Sequence, residues 1–333
     1  MQINQLPPKT ICIKMQQQLF SPNEQAQLLN ADKLPADIMK VIHREKWLLM
    51  WVAKKFNGLD LPFSQGLDLL YQLAKIDGSL GWLVTLCAGA NYFSKNLAPQ
   101  IATEIFSTSH VCLGGSGMVG GTAEAINAHE FRINGKWKYA TGSPHLTHFT
   151  LNAKVCDEIV SFVLPKEKVT IIPDWTSMGM RATNTFSFEV TDVVVSQKYS
   201  FRYDQFFTQD NTSEIPFVVF ADLTLLVNYI GMAQSFAEKV GSSTMQLYAE
   251  NVLTKIVTIA KEIEQQIANN QSFDPKNIQA IHSFGEATVE KLCEYFAQTY
   301  PMAGIAASRT TSPINQVFRD FFTATQHANF RKK

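Results

Sequence analysis

The segment 134–149, NGKWKYATGSPHLTHF, changes character halfway along. Aromatic side chains alternate at Trp137 and Tyr139, as in a β-strand, and the chain then reaches a turn at Thr141-Gly142-Ser143-Pro144. Because alternate residues of a strand share a face, we expect Trp137, Tyr139 and Thr141 to point the same way. Two flat rings beside a hydroxyl suit either a planar ligand or an ordinary hydrophobic core followed by a turn. The segment alone leaves both interpretations open.

The sequence on either side predicts helices, then strands, then helices. Apolar residues keep a helical period from about residue 23 to 104 and again from residue 215 to the end. Between them, short alternating runs predict strands at 131–140, 149–155, 159–164, 169–172 and 185–195, with turn residues between the runs, as in a β-barrel or sandwich.

Three helix starts and one long helix can be predicted from local signals. The pairs Ser21-Pro22, Asp274-Pro275 and Ser312-Pro313 each place a capping residue before a proline that suits the first helical turn. The apolar stretch that follows Pro216 predicts a helix that continues past Tyr248. It contains Asp222 and Asn228, so we interpret it as a buried helix and not as a membrane span.

Composition excludes several classes of partner. Lys plus Arg equals Asp plus Glu, 29 of each, so we expect no nucleic-acid or membrane partner. The five cysteines are widely spaced, which predicts neither a disulfide framework nor a metal site and fits a reducing compartment. The N-terminus lacks the pattern of a secretion signal, and we therefore predict a cytoplasmic location.

A glycine-rich segment at 114–121 contains the pattern GxGxxG. A dinucleotide site would require a full helix after it, whereas the sequence returns to a strand by about Phe131. The glycines are therefore interpreted as a turn, or as a place where the backbone approaches another group closely.

The last predicted helix, SPINQVFRDFFTATQH (312–327), carries a small and polar face. Asp320, Thr323, Ala324 and His327 share this face at helical spacing, while phenylalanines occupy another. Such a face suits a cavity or a wet surface. In a cavity, His327 could act as an acid or base near neutral pH; on a surface it would be an ordinary exposed histidine.

Four of these segments together resemble the acyl-CoA dehydrogenase superfamily, and within it the two-component flavin-dependent monooxygenases. They are LAKIDGSLGWLV (73–84), EFRINGKWKYATGSPHLTHF (130–149), DWTSMGMRATNTFSFEVTDVVV (174–195) and SPINQVFRDFFTATQH. Their order matches the helix–strand–helix layout. The resemblance implies an α+β, multi-domain, acyl-CoA dehydrogenase-like fold: an N-terminal helical domain (1–108), a central antiparallel β-barrel or sandwich (109–212) and a C-terminal helical bundle (213–333).

The resemblance also implies a flavin site. Thr141 falls where the family has a hydroxyl near flavin N5, Tyr139 falls where an aromatic ring flanks the flavin, and Trp82 would wall the pocket. His327 falls where the monooxygenases carry a catalytic histidine. The remaining implied residues are Leu113, Gly114 and Gly115 for the cofactor, and Arg181 and His145 for the substrate.

Three functions remain open at this stage. The first is a monooxygenase that uses O2 and reduced FAD or FMN, weakly bound and delivered by a separate reductase, on a small aromatic or hydrophobic substrate. The second is an acyl-CoA dehydrogenase with a displaced base, because residues 326–329, Gln-His-Ala-Asn, lack the family's glutamate. The third is a flavin-free binding protein, since the segment around Lys239 lacks the family's phosphate-binding arginine. The resemblance further implies a homo-oligomer, a dimer or tetramer.

Overall fold

The computed structural model describes residues 20–108 and 110–331 of the chain. Its first part is helical, as predicted. The α-helices are α1 (Pro22–Leu28), α2 (Ala36–Arg44), α3 (Phe63–Ile76), α4 (Gly78–Asn91) and α5 (Pro99–Ile105). Helix α1 begins at the predicted cap, where the Ser21 hydroxyl accepts a hydrogen bond from the Glu24 N–H and the Glu24 carboxylate accepts one from the Ser21 N–H.

The central part is one mixed sheet. Its strands are β1 (Leu113–Asn127), β2 (Glu130–Ala140), β3 (His148–Val155), β4 (Glu158–Pro165), β5 (Thr170–Ile172), β6 (Phe186–Ser196) and β7 (Ser200–Phe201). They lie in the order β5-β6-β2-β1-β3-β4-β7. All neighbours are antiparallel except β1 and β3, which are parallel. The prediction of a wholly antiparallel β unit is wrong at this pair.

The parallel pair explains why β1 is rich in glycine. A Cβ at Gly115 would lie 1.8 Å from the carbonyl oxygen of Thr150 on β3. Further along β1, Gly120 and Gly121 lie under the Trp137 indole, which is fully buried and donates through Nε1 to the Asn152 carbonyl at 2.8 Å. The interpretation of these glycines as a turn is wrong; they allow close approach within a strand.

Strand β2 does not keep a single alternation to its end. Its pairing with β6 shifts register between Trp137 and Ala140. As a result Trp137 is buried and stacks on Phe188 with ring centroids 5.4 Å apart, whereas Tyr139 is 43% exposed. The predicted shared face of Trp137 and Tyr139 is therefore wrong, because the irregularity turns the later residues relative to the earlier ones.

The last part is again helical, with α6 (Phe217–Val240) at its centre. Around α6 pack α3, α4, α7 (Ser243–Ala268), α8 (Pro275–Thr299) and α9 (Pro313–Ala324). Helix α6 is long and apolar enough to cross a membrane, but 83% of its most apolar window is buried inside the protein. It is the core helix of this fold, in agreement with the interpretation of its sequence.

The predicted long helix through Tyr248 is wrong, because α6 ends at Val240. Gly241 follows in the left-handed conformation (φ 73°), and the Ser242 hydroxyl caps α7. The helix starts predicted at Asp274-Pro275 and Ser312-Pro313 are confirmed. The domain boundaries at residues 108 and 212 stay predictions.

Candidate active site

A cavity of about 210 Å³ lies where the sheet meets the helices. One wall is the backbone of β1 and β3 with Thr141, and the opposite wall is formed by α4 and α6. Tyr203 and the turn after α9 close the remaining sides. The lining residues are Thr85, Leu86, Gly89, Ala90, Phe93, Gly114, Gly115, Ser116, Gly117, Thr141, Thr150, Leu151, Asn152, Tyr203, Phe217, Phe220, Ala221, Thr224, Leu225, His327 and Asn329.

Thr141 stands at the end of a short chain of hydroxyl groups. It is 6% exposed, and its Oγ1 lies 3.0 Å from Oγ1 of Thr185. Thr185 Oγ1 lies 2.7 Å from Oγ1 of Thr183, which donates to the Met180 carbonyl at 2.7 Å. Because the last donor in this chain is fixed by a carbonyl, the Thr141 hydroxyl is held in place while it faces the cavity.

His327 lies in the same cavity, on a turn that follows α9 and not on the helix itself. Its Nδ1 accepts a long hydrogen bond, 3.4 Å, from the Asn329 N–H, and its ring meets the Trp82 indole edge-on at 5.6 Å. Burial lowers the pKa of the imidazole below its ordinary value of 6.5. The ring is therefore neutral at pH 7 and able to accept a proton.

The turn that carries His327 is fastened to the helical core through Asn329. The Asn329 amide donates to the Asp222 carboxylate of α6 at 2.7 Å, and His282 of α8 lies 3.1 Å from the same carboxylate. Burial raises the pKa of Asp222. These contacts position the turn without bringing a carboxylate into the cavity lining.

The structure places some of the residues expected to hold a cofactor in the cavity lining and others outside it. Gly114 and Gly115 line the cavity with their backbone. Leu113 is fully buried beside it, and its N–H donates to the Asn91 side chain at 3.1 Å. Trp82 is also outside the lining and lies against His327, so it supports the imidazole and does not wall the cavity directly.

Tyr139 lies outside the cavity, on an exposed aromatic shelf. Its ring meets Trp175 edge-on at 5.6 Å, and the Trp175 indole donates to the Met180 carbonyl at 2.9 Å. Tyr139 is two residues from Thr141, so the shelf and the cavity adjoin at that threonine. Sequence analysis missed Trp175 as a neighbour of the site, because nothing local links it to Tyr139.

Neither of the two residues expected near the substrate lines the cavity. Arg181 is 43% exposed along its side chain and forms an ion pair with Asp32 at the surface. His145 lies in the turn after β2, where its N–H donates to the Gly142 carbonyl at 2.7 Å and burial lowers the pKa of its ring. Their positions give no support to the prediction that they bind a substrate in this cavity.

The lining also contains residues that sequence analysis missed. Asn152 is the clearest, because it is a polar residue in an otherwise apolar strand and is 8% exposed. Its amide donates to the Gly117 carbonyl at 2.8 Å and its carbonyl oxygen accepts from Ser161 at 2.7 Å. The contacts of the Tyr203 hydroxyl with the two amide atoms of Asn152 are long, 3.4 and 3.5 Å. The hydroxyl is therefore able to form a hydrogen bond with another group.

The segment 174–180, which carries Trp175, is bound to α9. The Gly179 N–H donates to Thr323 Oγ1 at 3.0 Å, the Met180 N–H donates to the Asp320 carboxylate at 2.6 Å, and Arg319 donates to the Met178 carbonyl at 2.7 Å. Two residues of the small polar face predicted on this helix, Asp320 and Thr323, therefore contact this neighbouring segment, and His327 lines the cavity from the turn beyond the helix end.

Asp320 and Asp77 form a buried acid pair beneath this segment. Burial and the neighbouring Asp77 raise the pKa of Asp320 to about 7, and burial raises that of Asp77 to about 6. Both folded-state values exceed the ordinary carboxyl value, so the folded protein holds protons that the unfolded chain releases. The pair's contribution to stability is therefore complete below about pH 4 and is lost as the pH rises to about 7.

Replacing Asp320 by asparagine should remove most of this pH dependence. The amide oxygen can still accept from the Met180 N–H, while the charge that forms at high pH is gone. We expect the D320N variant to unfold with a free energy on the order of 4 kcal/mol higher than the wild type at pH 8 and unchanged at pH 4. Urea titrations at both pH values measure this. The exposed Asp37, replaced in the same way, is the control, and equal profiles for wild type and D320N would contradict the prediction.

The described residues suit a flavin. The cavity alone is too small for a tricyclic ring together with an aromatic substrate, since a cavity of ~150 Å³ is filled by benzene. The shelf of Tyr139 and Trp175, two residues along the chain from Thr141 at Tyr139, adds an open aromatic surface. The backbone of Gly114 and Gly115 and the hydroxyl of Thr141 line the cavity and could form hydrogen bonds with the polar edge of an isoalloxazine ring.

Comparisons with known proteins agree with this description. No protein-family model matches the chain. Over 155 residues it is 27% identical to an indole-3-acetate monooxygenase of Pseudomonas putida, a match covering 45% of this chain and 40% of the relative. It is 22% identical over 308 residues to an indole-3-acetate monooxygenase of Acinetobacter baumannii, covering 83% and 79% of the two chains.

The structural neighbours cover almost the whole chain. The HsaA monooxygenase from M. tuberculosis superposes with a TM-score of 0.86 at 15% identity, covering 98% of this chain and 96% of its own. XiaF from Streptomyces sp., solved with FADH2 and glycerol, gives a TM-score of 0.84 at 17% identity and covers 97% and 92%. The chain therefore has the acyl-CoA dehydrogenase-like fold of these structural neighbours, and the proteins it is similar to include several named as monooxygenases.

Proposed function

We propose that this protein is the oxygenase component of a flavin-dependent monooxygenase that hydroxylates a small aromatic substrate. The observation that carries the proposal is that Thr141 and His327, from distant parts of the sequence, line one cavity. The names of the relatives support the same chemistry. A bound reduced flavin would supply two electrons, so that one atom of O2 enters the substrate and the other leaves as water.

The chain's own residues would orient the reactants and move a proton. Thr141 would hold the flavin through its hydroxyl, with Gly114, Gly115 and Tyr139 beside the ring. Neutral His327 would accept the proton that the hydroxyl or N–H group of the substrate releases when oxygen is added to the substrate's aromatic ring. Phe93, Phe217 and Phe220 line the other side and would exclude water.

The lining disfavours the alternative of an acyl-CoA dehydrogenase. Removing a proton next to a thioester requires a base, usually a carboxylate, and the described lining contains neither Asp nor Glu. Asp222, an acid that contacts the lining residue Asn329, already accepts a hydrogen bond from Asn329 and lies against His282. The third possibility, a flavin-free binding protein, leaves the arrangement of Thr141 and His327 without a role.

The partner and the mode of cofactor binding belong to the same proposal. We infer a separate reductase that delivers reduced FAD or FMN, because the connection from α6 to α7 offers little to hold a phosphate. The cation next to it, Lys239 in the last turn of α6, already donates to the Ser235 hydroxyl at 2.7 Å. Reversible binding of the reduced form would follow. We also propose a homo-oligomer; Met302 and Ile305 are 79% and 84% exposed and suit a contact between copies.

One experiment tests the function directly. The protein is mixed without oxygen with reduced FMN or FAD and with indole or a phenol, and isotopically labelled O2 is then admitted. We expect a hydroxylated product that carries one labelled oxygen atom. No product from any aromatic compound, with either flavin, would refute the proposal; bleaching of oxidised flavin by an acyl-CoA would favour the dehydrogenase.

Thr141→Val tests the site at its cofactor side. Valine matches threonine in shape, so the fold should be kept, but the hydrogen bond to the flavin and the contact with Thr185 are lost. We expect product formation at limiting reduced flavin to fall about tenfold, as for one lost hydrogen bond. Thr103→Val, on the exposed side of α5, is the matched control and should leave the rate unchanged. Equal rates for both variants would contradict the assignment of Thr141.

A further inference from the structure

The cavity is lined by uncharged side chains throughout the part of the chain that the structure describes. Among the lining residues are no Lys, Arg, Asp or Glu. The two that can ionise are neutral at pH 7, because burial lowers the pKa of His327 and raises that of Tyr203. A ligand in this cavity therefore meets hydrogen-bonding groups and apolar surface, but no fixed charge of either sign.

Two cations in neighbouring segments of the chain, Lys95 and Arg181, already have anionic partners and supply no free positive charge to the lining. Lys95 is fully buried and is held by Asp210 at 2.7 Å, and Arg181 is paired with Asp32 at the surface. Behind the lining residue Asn329, and in direct contact with it, lies an acid, Asp222. A ligand carboxylate would thus lose its hydration, gain no cationic partner among the described residues, and lie near a carboxylate.

The polar groups that remain suit a neutral ligand. They include His327, Thr224, Asn152 and the hydroxyl of Tyr203, whose long contacts with Asn152 leave it able to donate or accept. Between them the lining is largely apolar, with Phe93, Phe220 and other hydrophobic side chains. A volume of about 210 Å³ accommodates one or two fused rings.

We infer that this cavity selects uncharged aromatic compounds of one or two rings that carry a neutral hydroxyl, amide or N–H group, and that it rejects the corresponding carboxylates. The inference rests on the proposed function for the identity of the site. It separates this chain from those of its relatives that are named for indole-3-acetate, which is itself a carboxylate.

Matched pairs of compounds test the inference by binding alone. We would measure dissociation constants by calorimetry at pH 7.5 for 4-hydroxybenzamide against 4-hydroxybenzoate, and for indole-3-acetamide against indole-3-acetate, with the full chain and with reduced flavin present under nitrogen. The members of each pair match in size and differ in charge. We expect the amides to bind on the order of 100-fold more tightly, because the acids would have to bury an unpaired charge. A preference below tenfold in both pairs, or no binding of either amide, would overturn the inference.

Turnover of the same four compounds separates this inference from the proposed function. Preferential binding of the amides without any oxygenated product would leave the charge selection standing and refute the monooxygenase. Oxygenation of the acids as efficiently as of the amides would refute the charge selection and leave the monooxygenase standing.

A variant that adds a cation should reverse the selection. Leu86 lines the cavity from α4 and is half-buried, so a longer polar side chain can enter there with its stem packed. We expect Leu86→Lys to reduce the preference for amides at least tenfold, while Leu86→Met, similar in length and neutral, retains it. An unchanged preference in Leu86→Lys, with the variant folded by circular dichroism, would count against charge as its cause.

Discussion

Replacing His327 by alanine is expected to lower turnover by about 10²-fold to 10⁴-fold, the range for loss of a positioned general base. Binding of reduced flavin should be almost unchanged, because the side chains expected to hold the cofactor, Thr141 and Tyr139, are untouched. The fold should also survive, since the turn remains fastened through Asn329 to Asp222. Single-turnover product formation and flavin titration on the same preparation measure the two effects separately.

The pH dependence gives this prediction a second readout. The neutral imidazole is the active form, and its pKa is lowered by burial, so wild-type turnover should fall on the acid side, below pH 6.5, and be level above it. The alanine variant should lack this acid limb. His129→Ala removes an exposed histidine at the turn between β1 and β2 and should change neither the rate nor the profile. A rate within threefold of the wild type in His327→Ala would exclude His327 as the base.

Replacing Gly115 by alanine is expected to cost about 3 kcal/mol or more of unfolding free energy. The added Cβ would lie 1.8 Å from the Thr150 carbonyl oxygen and 2.5 Å from its hydroxyl oxygen. Because the first of these is a backbone atom, no side-chain rotation relieves the clash, and the parallel strands must separate locally. Denaturant titration, followed by far-ultraviolet circular dichroism, measures the loss.

Gly117 supplies the matched control two residues along the same strand. A Cβ placed there meets nothing within 4 Å, so Gly117→Ala adds the same methyl group without a clash. We expect its stability to stay near that of the wild type. If the two variants were equally stable, the close parallel contact between β1 and β3 would be wrong, and with it the sheet wall of the cavity.

Local sequence signals predicted the elements whose cause is itself local. The cap at Ser21 and the helix start at Asp274 follow from side chains that bond the first turn, and the start at Ser312 coincides with a proline at the first helical position. The alternation in β6 follows from one face of a sheet being buried. These features depend on neighbours in sequence, so they could be predicted without knowing the fold.

Strand β1 was missed because its cause is not local. Glycine is unfavourable in strands, and the run 114–121 has the composition of a turn. The strand contains glycines because β3 and the Trp137 indole approach it too closely for side chains. Neither of these partners can be seen in the run 114–121 itself. The lost alternation at Tyr139 has a similar origin, since the register shift arises in the pairing with β6.

The candidate site was predicted in part. Thr141 and His327 were identified from separate motifs, and the structure brings them to one cavity. Asn152, Tyr203 and Phe220 were missed, because each lies in a segment without a motif and reaches the cavity only through tertiary packing. Arg181 and His145 were assigned to the substrate from the family resemblance; in the structure Arg181 pairs with Asp32, the His145 N–H donates to the Gly142 carbonyl, and neither lines the cavity.

The two walls of the cavity differ in what a mutation can change. Along 114–117 the sheet wall presents mostly main-chain atoms, so its chemistry is almost independent of residue identity, and substitutions there affect folding first. The helical wall presents side chains such as Leu86, Ala221 and Leu225. A library that aims to widen or shift the range of compounds accepted by this scaffold should therefore randomise the helices and keep the glycine strand constant.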